Sequence, residues 1–91
     1  MSEKSQDTLL EFPCRFPLKV MGDKHEEFVP VVIEEVRIHA PDFDAELDLM
    51  MRESSSGRYL SLTLTVNATS KEQLDNLYRS LSGHPLVKVV L

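Results

Sequence analysis

What this sequence holds little of sets the first limits on it. A single cysteine, Cys14, stands among 91 residues, so no internal disulfide can form and the chain fits a reducing compartment. No apolar run approaches the roughly 18 residues that a membrane-spanning helix requires. The opening "MSEKSQDTLLEF" has no basic segment followed by a long apolar one and does not read as a secretory signal. The cytoplasm is therefore the expected location. Positive charge is also scarce: ten Lys and Arg stand against fifteen Asp and Glu, a net charge of −5. Residues 23–53 alone carry ten acidic side chains and three basic ones, a block that opposes phosphate backbones and anionic lipid. Neither nucleic acid nor a membrane surface is an expected partner.

Groups that do chemistry are equally sparse. His25, His39 and His84 fall on separate stretches, and none has a second ligand at the two- to four-residue spacing of a metal site, so no metal is expected. His39 suits the end of a helix, where a cation is favoured, and His84 suits a turn. Cys14 lies beside Arg15 but no base is named near it, and it reads as a small packed thiol. Ser54, Ser55 and Ser56 solvate a loop. No acid–base pair, nucleophile set or metal set can be assembled, so the chain is not expected to be an enzyme or to hold a cofactor.

What is present is patterning. Residues 1–8 are polar and aperiodic and read as a flexible tail; residues 9–91 suffice for one domain. Phe16, Leu18 and Val20 alternate with Pro17, Lys19 and Met21, predicting a first strand whose regular pairing begins near Leu18, after the prolines at 13 and 17. Asp23 followed by Glu26 reads as a helix start. Phe28, Val32, Ile33, Val36 and Ala40 then form an apolar stripe of about four turns. Pro30 interrupts it: inside a helix a proline costs about 3 kcal/mol, so either the helix kinks or its regular part begins later. Pro41 ends it.

Ala45, Leu47, Leu49 and Met51 alternate with Glu46, Asp48, Met50 and Arg52, predicting a second strand. Across "ESSSGR" (53–58), a third follows in which Leu60, Leu62, Leu64 and Val66 alternate with Ser61, Thr63, Thr65 and Asn67. The pair makes a hairpin with Gly57 placed for positive φ. Ser70 with Gln73 is a capping box, Leu74, Leu77, Tyr78 and Leu81 form one helical face, and Gly83 and Pro85 stop it. "LVKVVL" (86–91) closes as a β-branched strand. The order β-α-β-β-α-β, with two right-handed crossovers, predicts an α+β ferredoxin-like plait: a four-stranded antiparallel sheet with both helices on one face. The second strand then lies at one edge, guarded by Glu46 and Asp48, and the last strand at the other, where apolar residues flank Lys88.

Taken together, "EFPCRFPLKVMG", "RIHAP" and "SSSGRYLSLTLTVNAT" resemble the YbeD family of small bacterial proteins of unknown function, from about Leu9 to Leu91. The resemblance implies a plait similar to the regulatory ACT domains, which bind amino acids at subunit interfaces, and a gene neighbourhood near lipoate-attachment genes. It implies no catalytic or ligand residues.

Two surfaces then invite a function. The turn after the first strand, with Met21, Gly22 and Asp23, would be the ligand site of an ACT-like sensor of an amino-acid-type metabolite at a subunit interface. Asp23, Glu26 and Glu27 already occupy the favourable end of the helix dipole there and repel an anion, so Gly22 reads as a conformational corner. The second surface is the uncovered sheet face, with Lys19, Ser61, Thr63 and Thr65, continued to Lys88 and Val90 on the last strand. It offers no aromatic platform for RNA. It is mild enough to meet a protein partner, or a second copy through the C-terminal edge strand. An interaction or regulatory module is the expected function.

Overall fold

The computed structural model describes residues 11–91; the predicted tail over residues 1–8 lies outside them. The elements are β1 (Cys14–Asp23), α1 (Phe28–His39), β2 (Leu49–Glu53), β3 (Tyr59–Ala68), α2 (Lys71–Ser82) and β4 (Val87–Val90). The strands pair antiparallel in the order β2-β3-β1-β4. This is the ferredoxin-like plait that the alternation predicted.

Its core is one cluster. Leu18 and Val20 from β1, and Leu60, Leu62, Leu64 and Val66 from β3, are buried together with Phe28, Val32 and Val36 of α1 and Leu74, Leu77 and Leu81 of α2. The strict alternation along β3 thus puts every leucine under the helices and every hydroxyl on the other face. Tyr78 is the exception among the predicted helix-face residues. It stays half exposed and its hydroxyl donates to the Val90 carbonyl at 3.2 Å.

Four boundaries differ from the sequence reading, each for a local reason. β1 begins at Cys14 rather than near Leu18, with Pro17 inside the ladder opposite Thr65. The Lys19 N–H donates to Leu91 on the β4 side, so the nitrogen of Pro17, two residues earlier, faces the same side. There the pairing with β4 has already stopped, and no donor is missed.

The second difference is the start of α1. Asp23 does not cap it, because β1 runs on through Asp23 opposite Tyr59. The turn is instead closed by His25, whose Nδ1 accepts from Glu27 N–H and whose carbonyl accepts from Phe28 N–H. Helix begins at Phe28 with no side-chain cap. That places Pro30 in the first turn, where its absent N–H has no intrahelical partner to lose, and the predicted kink is unnecessary.

Third, β2 is shorter than its alternation. Asp44 Oδ1 accepts from the N–H groups of Glu46 and Leu47 at 2.8 and 3.3 Å, and the Asp44 carbonyl accepts from Asp48 N–H. A side chain that satisfies its own following backbone competes with strand pairing, and residues 45–47 turn instead. Glu46 and Asp48 therefore precede β2 and do not guard its edge. Fourth, β4 contributes four residues rather than six. The hairpin loop and α2 agree with expectation: Gly57 has φ 74°, and Ser70 Oγ accepts from Gln73 N–H.

Candidate interaction surface

The alternation that sends leucines inward builds the opposite face of the sheet from what remains. Register aligns it in rows. Lys19 of β1 lies opposite Thr63 of β3, which lies opposite Met50 of β2; Met21 lies opposite Ser61, which lies opposite Arg52. Two hydroxyls thus run down the middle, with a cation and a thioether at alternate corners. Lys19, Met50, Arg52, Ser61 and Thr63 line one shallow groove of about 420 Å³ there. Tyr59, opposite Asp23, adds one ring at the end of the face. Among the described residues no helix or loop packs across these rows.

Thr65 belongs to the same face but to its other end, where polar groups are already engaged. Arg15 donates to Asn67 at 3.0 Å and to Asp48 at 2.5 Å, and Asn67 donates to Asp42 at 2.6 Å. The Arg15 hydrogen bond, with further help from the Asp44 hydrogen bond, lowers the Asp48 carboxyl below its ordinary 3.8. Lys88 is at the opposite margin, 3.7 Å from Asp23. Val90 is not part of the surface: β4 pairs it with Val20 and it is buried in the core at 6% exposure.

The two sheet edges are unequal. On β4 the outward carbonyl of Val90 accepts from the Tyr78 hydroxyl, so the edge proposed for a partner strand is partly occupied. Just beyond the two ends of β2, the Asp48 carbonyl accepts from Thr65 N–H and the Ser54 N–H donates to the Tyr59 carbonyl. By alternation the N–H and C=O groups of Leu49, Met51 and Glu53 face away from the sheet. Leu47 (82% exposed), Met50 (72%) and Met51 (57%) flank that edge. The parity of "LDLMMRE" already put Met50 and Arg52 on the threonine side; what hid the edge was the assumption that Glu46 and Asp48 lay within the strand.

At the turn after β1, read as a conformational corner and as the ligand site only of the alternative sensor, the close packing is that of a corner. Met21 points to the uncovered face and Gly22 to the helix side. A Cβ on Gly22 would stand 2.3 Å from the Leu86 carbonyl oxygen and 2.5 Å from Phe28 Cε1. Gly22 is therefore a place where β1, at an irregularity in its pairing with β4, passes directly beneath Phe28. Asp23 is exposed and faces Lys88, so the three residues do not converge. Cys14 is half-buried against the core, and the described residues hold no cluster of three His, Cys, Asp or Glu side chains suited to a metal ion. No helix among them is long and apolar enough to cross a membrane.

Comparison with known proteins agrees with this architecture. The family model described as "Protein of unknown function (DUF493)" matches residues 7–91. A UPF0250 protein of Chromobacterium violaceum is 62% identical over 91 residues, the whole of both chains. Another, from Neisseria meningitidis, is 52% identical over 89 residues, covering 98% of this chain and 97% of its own. The solution structure of protein HP0495 from H. pylori superposes with a TM-score of 0.73 over 90% of this chain and 85% of that one, at 13% identity. That likeness speaks for the fold alone. The chain belongs to the DUF493 (UPF0250) family of small bacterial proteins of unknown function, the group to which the YbeD resemblance pointed.

Proposed function

We propose that the protein is a non-catalytic cytoplasmic interaction module that receives a protein partner on the uncovered face of its sheet and along the adjoining β2 edge. The observation that carries this reading is the exposed edge itself. Leu49, Met51 and Glu53 offer outward backbone groups flanked by the exposed Leu47, Met50 and Met51. Natural edges are ordinarily blunted by charge, proline or cover, and an open one is a template for an added strand. The module needs no metal or cofactor, and its acidic block keeps it from nucleic acid and anionic membranes.

Capture experiments test the reading. Tagged wild-type protein should retain a specific protein from lysate of the native cell, and Met50→Lys/Met51→Lys should lose it. Ile38→Lys, an equally polar change at an exposed site on the outside of α1, should retain it. Equal retention by all three, or loss with Ile38→Lys alone, would move the interaction away from the sheet.

A further inference from the structure

The face carries a charge signature that narrows its partner. Three acidic side chains lie beside or around the rows just described, and each is neutralised by a cation from elsewhere: Asp48 by Arg15 at 2.5 Å, Glu53 by Lys24 at 2.7 Å, and Asp23 by Lys88 at 3.7 Å. Lys19 and Arg52 are both exposed and have no ion-pair partner among the described residues. They sit at diagonal corners of the Lys19–Thr63–Met50 and Met21–Ser61–Arg52 rows, about 12 Å apart at ordinary strand spacing and rise. Both side chains are long enough to lean toward the hydroxyl column between them. A protein of net charge −5 thus keeps two uncommitted cations together on its one uncovered sheet face, with donors between them and thioethers beside them.

We infer that this patch takes a carboxylate-bearing, partly apolar segment of a protein partner. One or two Glu or Asp side chains would sit over Ser61 and Thr63 between Lys19 and Arg52, and apolar neighbours would rest on Met21 and Met50. Arg52 can engage a carboxylate through two parallel N–H groups, and Lys19 adds a point charge. Hydroxyls donate to the remaining oxygens. Thioether side chains adapt to apolar neighbours of varied shape. This inference rests on the reading of the face as an interaction surface and gives that surface's partner its chemistry.

The probe is a fluorescein-labelled peptide, Gly-Leu-Glu-Leu-Glu-Gly, with its Gln-for-Glu counterpart, titrated into the full chain at low and moderate salt with amide chemical shifts followed by NMR. The acidic peptide should bind at least tenfold tighter than the Gln peptide. Its affinity should fall as salt rises, and the shifts should centre on Lys19, Arg52, Ser61 and Thr63. Lys19→Gln and Arg52→Gln should each weaken binding about threefold or more, with unchanged spectra elsewhere showing that the fold is intact. Equal binding of the two peptides, shifts centred elsewhere, indifference to both substitutions, or no binding of the acidic peptide at millimolar concentration would each overturn the inference. The lysate capture described above reports separately on the face itself, so a partner lost with Met50→Lys/Met51→Lys but retained by Lys19→Gln/Arg52→Gln would preserve the module and remove its acidic specificity.

Discussion

Asp48 and Gly22 show how single residues shape the sheet, one through its carboxylate and the other through the absence of a side chain. The Asp48 carboxyl accepts from Arg15, and a carboxyl lowered below its unfolded value binds fewer protons in the folded state. Its contribution to stability is therefore full above the ordinary value of 3.8 and disappears as pH falls through the lower folded one. Urea melts of wild type and Asp48→Asn should differ above pH 4 and draw together as the pH is lowered below it. A gap that stays constant across that range would deny the coupling. Gly22 has a steric role instead. Since Gly22→Ala would drive a methyl against a backbone oxygen and the Phe28 ring, it should cost about 2–3 kcal/mol, the upper part of the usual overpacking range. Gly57→Ala meets nothing within 4 Å, and only its positive φ resists the change, at about 1 kcal/mol. Chemical denaturation of the two variants checks the order. If Gly57→Ala is the worse, the backbone around Gly22 yields to the added methyl and the close approach there does not constrain the strand.

The helices and strands carry their own test at Pro30. With α1 beginning at Phe28, Pro30 occupies the first turn and removes a donor that had no partner there. Pro30→Ala should then shift stability by no more than about 0.5 kcal/mol, against the gain of about 3 kcal/mol expected if the proline interrupted a running helix. Urea midpoints distinguish the two by several-fold. Gln73 acts in the opposite sense, since it ties elements together. Its Oε1 accepts from Thr69 N–H at 2.6 Å and its Nε2 donates to the His39 carbonyl at 2.7 Å, joining the start of α2 to the end of α1. Gln73→Ala should lose about 1–2 kcal/mol, since partly buried groups on both elements lose their partners. These positions also show where sequence was informative. β3 and α2 were legible because their periodicity and caps are local: the leucine alternation and Ser70 with Gln73 each decide structure within a few residues. β2 and the start of α1 were not, because Asp44 and His25 capture neighbouring N–H groups, and both patterns remain compatible with strand and helix until that competition is known. The surface was half legible. Parity identified Lys19, Ser61, Thr63 and Thr65, but the neutralisation that leaves Lys19 and Arg52 uncommitted depends on ion pairs between distant segments, and the partial occupation of the β4 edge depends on Tyr78 crossing to Val90.

For the molecule as a whole, the decisive feature is that both helices, β1, β3 and β4 bury apolar side chains in one continuous cluster, on which β2 rests only through the half-buried Leu49. α1 and α2 pack side by side, and each of them and each of the two long strands contributes fully buried residues. No element retains a separate core that could survive alone, so loss of either helix exposes the leucines of β3. Folding should therefore be cooperative, with no populated intermediate, as is usual for domains of this size. Far-ultraviolet circular dichroism follows both helices and the sheet. Tyrosine fluorescence follows Tyr59 on the uncovered face and Tyr78 at the β4 edge, two sites outside the core. If the cluster is the only source of stability, the two signals should trace one superimposable urea transition, and the slope should be unaltered in Met50→Lys/Met51→Lys, whose side chains the core does not hold. Non-coincident transitions would mean that the hairpin end at Tyr59, whose carbonyl accepts from Ser54 N–H, opens independently of the rest, and a partner strand would then be binding a segment that orders on contact instead of a preformed edge.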